Sequence, residues 1–301
     1  MKRFATVLTL IAAGGAFNAP PALSSPHASP TLTLAVRGFA KVRLRVRAGA
    51  TAAPAGFTVQ WMRLSDFIDN GGQWYPGPSA IQGVATFDGV PTLNDWGAED
   101  YILDANELVT IEIGDLLGET GVTTNQPDEL EAGTQYVFAA FVVESPGYEA
   151  SARTADLFVS TRGGQDCTYT IGYWKNHEED WPVTSLLVGD VSYTKAQLLD
   201  ILHEPVRGNG LISMSHQLIG TKLNVANGAG AIEVLSTILA ADALIAGLVI
   251  PPVGSGYLQP STTSPHTQTL DDFNNGIVGP GHCGSTGVEA STWGRIKGGY
   301  R

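Results

Sequence analysis

The 301-residue chain is long enough for two domains, and a hydrophobic content of 43% supplies a sizeable core and argues against wholesale disorder. Its net charge of −12 repels phosphate backbones, which excludes nucleic acid from the expected partners. Charged residues make up only 15% of the chain, a composition common among secreted proteins, and 36 glycines with 17 prolines point to many turns.

The first 24 residues read as a secretory signal peptide. Lys2 and Arg3 form a positive start, Phe4 to Ala13 an apolar run, and Ala22 and Ser24 are the small residues flanking a cut after Ser24. A cut after Ala19 is disfavoured by the Pro20 that follows and by bulky Phe17. The run is too short for a membrane anchor. No transmembrane segment is expected in the mature chain, because the longest apolar stretch, AIEVLSTILAADALIAGLVI, contains Glu233 and Asp242. The expected location is exported: extracellular, cell surface or periplasmic.

Residues 30–162 have a period of two. In KVRLRVRA, Val42, Leu44 and Val46 face one way and Lys41, Arg43, Arg45 and Arg47 the other. FTVQWM sets Phe57, Val59 and Trp61 on one face, and LVTIEIG sets Val109, Ile111 and Ile113 together. TLTLAV, QYVFAAFVV and TADLFVS complete a set of half-buried strands separated by Gly/Pro turns, the pattern of an antiparallel β-sandwich. The segment LEAGTQYVFAAFVV resembles one strand of the fibronectin type III fold through Leu130, Gly133, Thr134 and Tyr136. The resemblance implies that the Tyr136 hydroxyl ties its turn to backbone upstream.

A long insertion, residues 63–106, departs from that fold. It places Trp74, Tyr75, Trp96 and Tyr101 among Asp and Gly residues. Aromatic rings beside carboxylates can present a sugar-binding surface or pack as a small satellite core. Lone tryptophans pack more often than they present, so the satellite core is preferred.

After the Gly-rich STRGGQD the period becomes helical. TKAQLLDILHEPV carries Ala196, Leu198, Leu199, Ile201 and Leu202 at helical spacing, with Thr194 as N-cap and Pro205 limiting the end. LISMSHQLIGTKLNVAN aligns Ile212, Ser215, His216, Ile219, Leu223 and Ala226, and Asn227-Gly228 stops it. AIEVLSTILAADALIAG is a third helix, and TSPHTQTLDDFNNG a fourth ended by Asn275-Gly276. The chain has two cysteines, Cys167 and Cys283, which bracket this region. In an exported chain they most simply pair with each other, and closing so long a loop is worth roughly 4–5 kcal/mol in the chain-entropy view. The less favoured alternative is a nucleophilic cysteine with His282 as partner. The expected fold is therefore multidomain: a fibronectin type III-like β-sandwich (30–162), a disulfide-clasped all-α domain (163–284) and a C-terminal tail (285–301). GYWKNHEEDWP, YTKAQLLDIL, PVRGNGLISMSHQLIGTKLNVANGA, ADALI, LDDFNNG and GPGHC together resemble a helical domain that recurs in secreted bacterial proteins. That resemblance implies a module boundary and an exported bacterial origin, and it supplies no mechanism. The ending STWGRIKGGYR is similar to short Trp-basic-Tyr endings of exported bacterial proteins.

No catalytic motif is complete. GxSxG, HExxH, a P-loop and a strand-borne GxGxxG are all missing. Asp271, Asp272, Asn274 and Asn275 could hold Ca²⁺ weakly, although a capped helix end explains them better. His177, His216 and His282, if they converged, would form an open Zn²⁺ site with Glu178 or Glu179 as base or outer partner. In GYWKNHEEDW, Tyr173, Trp174, Lys175 and Trp181 are either anchors closing the end of the helical bundle or an exposed patch recognising glycan or peptide. The leading expectation is a non-enzymatic binding or structural module without cofactor, with a surface protein or glycan as partner. The rivals are a metal-dependent hydrolase on the three histidines and glycan binding through the aromatic insertion.

Overall fold

A computed structural model describes residues 25–77, 79–91, 100–163 and 165–284. The expected signal peptide (residues 1–24), Trp96 and the STWGRIKGGYR ending lie outside the described residues. The elements in chain order are β1 (Ser25–Pro26), β2 (Thr31–Arg37), β3 (Val42–Arg47), β4 (Phe57–Arg63), α1 (Leu64–Asp69), β5 (Gly83–Phe87), β6 (Leu108–Ile113), β7 (Val122–Thr124), β8 (Gln135–Val142), β9 (Tyr148–Glu149) and β10 (Leu157–Ser160). There follow α2 (Ile171–Asn176), a 3-10 turn (Glu178–Asp180), β11 (Ser185–Val188), β12 (Val191–Thr194), α3 (Lys195–His203), α4 (Gly210–Ala226), a 3-10 turn (Ile232–Val234), α5 (Leu235–Ile245) and α6 (Pro260–Asn274).

Two antiparallel sheets build the β region, one in the order β2-β3-β6 and the other β10-β8-β4-β5-β7. Their apolar faces share one buried cluster. Val42, Leu44, Val46, Ile111 and Ile113 meet Phe57, Val59, Phe87, Phe138 and Val142 in it. The alternation of β3 sends its basic side chains outward, where Arg43 pairs with Glu112 across the strands at 2.9 Å. Trp61 lies opposite Gly83 on β5, and a Cβ at residue 83 would come within 2.1 Å of the indole, so glycine is what lets the ring lie flat on the strand. The amide of Glu131 donates to the Tyr136 hydroxyl at 3.0 Å, which ties the turn before β8 to its own strand.

β4 and β8 are buried on both faces rather than one. Their outward residues Met62 and Val137 enter a second cluster, together with Leu64, Phe67 and Ile68 of α1 and the apolar sides of α3, α4, α5 and α6. Among the described residues of the insertion the aromatic side chains pack, but into the two main cores rather than into a satellite of their own. The insertion supplies α1 to the helical core and β5 to the five-stranded sheet.

The region after residue 163 is not all-α, which corrects the expectation from its helical periodicity. β11 and β12 form an antiparallel hairpin about Gly189 and Asp190, with Leu187 partnering Ser192. Tyr193 on that hairpin is fully buried, and its hydroxyl accepts from the amide of Ile250 at 2.9 Å. The helices form for the reasons the sequence offers. Thr194 and Gln197 make a reciprocal capping box at the start of α3, and Asn227 and Asn275 close α4 and α6. Cys167 and Cys283 are bonded across 116 positions, and the amide of Cys283 donates to the Thr168 carbonyl at 2.8 Å beside the bridge. Gln135 of β8 accepts from the amide of Ala231 at 3.2 Å, and Asp166 from that of Gly230 at 3.0 Å. The first bond fastens the helical region to the sheet, and the second fastens it to the segment that leads in from the sheet. Among the described residues no helix is long and apolar enough to cross a membrane.

Candidate functional site

At the seam between the two regions lies a cleft of about 480 Å³. The β8 turn contributes Gly133 and Thr134, the connecting segment Gln165, and the helical region Tyr169, Tyr173, Asp180 and Asn227. Its aromatic wall includes Tyr169 and Tyr173, two rungs of a ladder that His177 continues beyond the cleft lining. Tyr169 and Tyr173 stack with ring centroids 3.9 Å apart and planes 12° from parallel, and His177 stacks on Tyr173 at 4.3 Å and 13°. Residues four apart share a helix face, so α2 and its flanks place these three rings in register. Thr170 caps α2 by accepting from the amide of Tyr173 at 3.2 Å.

The ladder is held from below by a buried amide network. The Asn224 side chain, with no exposed surface, accepts from the Tyr169 amide at 2.8 Å and the Trp174 indole at 3.1 Å. It donates to the Tyr169 carbonyl at 2.8 Å and to Asn274 Oδ1 at 3.0 Å. Asn274 is in turn held by Thr221 and Gln217. Every hydrogen-bonding group of the Asn224 amide is thereby used, so the strand entering α2 has one fixed position.

At the rim the Tyr169 hydroxyl donates to Gln165 Oε1 at 2.8 Å, and the Tyr173 hydroxyl donates to the Asp180 carboxylate. That bond to Asp180, with desolvation second, raises the Tyr173 hydroxyl well above the ordinary phenol value. Tyr173 stays a neutral phenol rather than a base, and with Tyr169 and His177 stacked on it, it offers the cleft a ring edge and an oxygen. The cleft combines the edges of stacked rings with the neutral amides of Gln165 and Asn227, a hydroxyl and the Asp180 carboxylate, a set suited to holding a polar ligand.

The structure sorts the residues singled out by sequence. Trp174 is fully buried, and Trp181 is buried with its indole donating to the Trp174 carbonyl at 2.7 Å. These two anchor the bundle, while Tyr173 sits half-buried at the cleft and Lys175 half-buried beside it. His177 is exposed and donates from Nδ1 to the Tyr173 carbonyl at 3.0 Å. His216, on α4, donates from Nε2 to the Ile201 carbonyl at 2.7 Å, and His282 lies on the strand-like bridge to Thr168. The three histidines are not brought together, and among the described residues no group of three or more His, Cys, Asp or Glu side chains is arranged to hold a metal ion. Asp271 accepts from Gln217, Asp272 from Gln268, and Asn274 points into the core, so the end of α6 is a helix cap rather than a Ca²⁺ loop.

Among the described residues of the insertion, Trp74, Tyr75 and Tyr101 pack rather than form a platform. Tyr101 is wholly buried, edge-on to Phe87 with centroids 5.0 Å apart. Trp74 packs on Phe67 and donates to Asp156 at 2.8 Å, and Tyr75 lies against the helical core. Burying large rings is worth more than displaying them, and both cores had room for them. Tyr169, Gln165, Asp180 and Asn227 were not found by sequence reasoning. The four-residue spacing of Tyr169, Tyr173 and His177 was the available signal.

No protein-family model matches the chain, and no curated protein matches it. Among solved structures the chain is similar to one described as "Myokine structure", at 10% identity over 46% of this chain and 100% of that one. The TM-score is 0.25, and a likeness at that level carries no argument about fold or function.

Proposed function

We propose that the chain is an exported, non-enzymatic binding module whose ligand is a surface glycan held in the cleft at the seam. The observation that carries this reading is the stacked Tyr169–Tyr173 pair lining the cleft beside Gln165, Thr134 and Asn227. A pyranose ring offers C–H groups to aromatic carbon and hydroxyls to neutral amides, and this wall sets the Tyr169 and Tyr173 rings beside the Gln165 and Asn227 amides. A fibronectin type III-like sandwich is the scaffold in this reading. The three- and five-stranded sheet orders and the Glu131–Tyr136 bond support it. Export is supported by the Cys167–Cys283 bond, which oxidising compartments favour. The separated histidines lend no support to a metal-dependent hydrolase.

The test is a titration of the purified chain with a panel of oligosaccharides, read by calorimetry and by tryptophan emission, since Trp174 lies edge-on to Tyr173 at 5.3 Å. Binding by at least one sugar is expected, with Tyr173→Ala weakening it about tenfold, the loss of one ring contact of about 1.4 kcal/mol. No heat and no emission change across the panel would contradict the glycan reading and turn attention to peptide ligands.

A further inference from the structure

Away from the cleft, Lys222 of α4 is buried with its side chain 4% exposed. Its Nζ lies 2.8 Å from Asp242 Oδ2 on α5 and 3.3 Å from Asp69 Oδ1 at the end of α1. The same nitrogen donates to the Leu187 carbonyl at 2.6 Å. Asp242 is held asymmetrically. Its Oδ1 accepts from the amide of Gly189 at 2.7 Å, whereas Oδ2 is buried and has no hydrogen bond of proper geometry. The amine thus sits against a carboxyl group whose one oxygen is polarised by a backbone donor and whose other oxygen has the Lys222 ammonium itself as its ion-pair partner.

We propose that Lys222 and Asp242 condense to an intramolecular amide, with Asp69 as the proton carrier. The Lys222 ammonium gives up a proton that Asp69 relays to Oδ2 of Asp242, and the freed amine adds to Cγ of the resulting carboxylic acid. The developing oxyanion is Oδ1, which the Gly189 amide already faces. The Cγ–Oδ2 bond then breaks and Oδ2 leaves as water with two of the three ammonium protons, both relayed by Asp69. One proton stays on the amide nitrogen. An ammonium and a carboxylate become a neutral amide plus water, and no oxidant, reductant or activated co-reactant is needed.

Three features favour the product. Holding the two groups in contact gives an effective concentration on the order of 10⁵ M or more. Condensation removes a charge pair from a buried site, where ions are costly to desolvate. The product amide keeps both hydrogen bonds, its N–H to the Leu187 carbonyl and its oxygen from the Gly189 amide. Asp69 keeps 42% of its side chain exposed, which provides the way out for water. Its packed side nevertheless desolvates the carboxyl and raises it, with Lys222 pulling the other way, so it accepts a proton more readily than a free carboxylate near that lysine would.

The experiment is the intact mass of the mature full-length chain after disulfide reduction, followed by peptide mapping. A mass 18 Da below that of the sequence is expected, with a branched peptide joining the Lys222 and Asp242 segments. Asp242→Ala should carry the full mass, and Asp69→Asn should slow or abolish the loss while its circular dichroism stays that of the unaltered chain. A folded wild-type chain at full mass overturns the proposal whatever the variants do. An 18 Da loss that persists in Asp242→Ala, or a branch that maps to Asp69, overturns the assignment.

Discussion

The β region and the helical region answer to the same physics but differ in where their cores begin and end. The three-stranded sheet keeps one wet face, so its alternating basic residues stay outside and its strands read cleanly. The five-stranded sheet has its second face covered in part by helices, and Met62 and Val137 belong to the helical core although they sit on strands. The helical region in turn depends on a helix, α1, that comes from the β half of the chain. What divides the sequence at the change of period does not divide the hydrophobic core. A cleft formed at such a seam has walls from both regions, which is where the ring ladder faces the β8 turn.

Phe67→Ala is the strongest way to break this comparison. Phe67 is 2% exposed and lies on α1, between the sheet and the helices. Deleting a ring from such a core costs about 3–5 kcal/mol. Urea unfolding followed by helical ellipticity should show the loss in the helical region, although the residue precedes it by nearly a hundred positions. An unchanged helical transition would mean that α1 is an ornament of the β region.

Asn224→Ala sharpens the comparison on the helical side alone. It strips partners from the Tyr169 amide and the Trp174 indole, and an orphaned buried donor costs about 1–3 kcal/mol. A loss of about 2–3 kcal/mol is expected, together with a red-shifted tryptophan emission as Trp174 loses its position. The same substitution should leave near-ultraviolet signals of the β region intact.

The smallest expected effect is a pH dependence. Burial lowers the pKa of His216 below its ordinary value near 6.5, against the smaller opposing pull of its bond to Ile201. The unfolded chain therefore takes up a proton as the pH falls through about 6.5 while the native chain does not. His216 costs nothing above that pH, and stability declines below it until the native histidine titrates too. In His216→Gln the decline between pH 7 and pH 5 should be shallower than in the unaltered chain, as measured by denaturant midpoints.

Much of the secondary structure was legible because local rules set it. Thr194 begins α3 and Asn227 and Asn275 end α4 and α6 where capping chemistry places them. Cys167 and Cys283 pair as an even number of cysteines suggests. The hairpin of β11 and β12 went unread even though Val188-Gly189-Asp190-Val191 has the form of a two-residue turn between apolar runs, because the helical periods on both sides dominated. β8 was read as half-buried, yet its continuous apolar run, Tyr136 to Val142, is the mark of a strand covered on both faces. The destination of the insertion was not legible. Whether Trp74 and Tyr101 join the helical core or the sheet core depends on contacts far apart in sequence, and no local pattern encodes them. The cleft residues share that difficulty, except for the Tyr169, Tyr173 and His177 spacing.

The central claim is that the two regions form one body across a shared core, with the cleft at their seam. Differential scanning calorimetry of the oxidised chain tests it most directly. One transition is expected, with calorimetric and van't Hoff enthalpies in agreement, and Phe67→Ala should lower it as a whole. Two separate transitions, with Phe67→Ala moving only the one that belongs to the β region, would contradict the account.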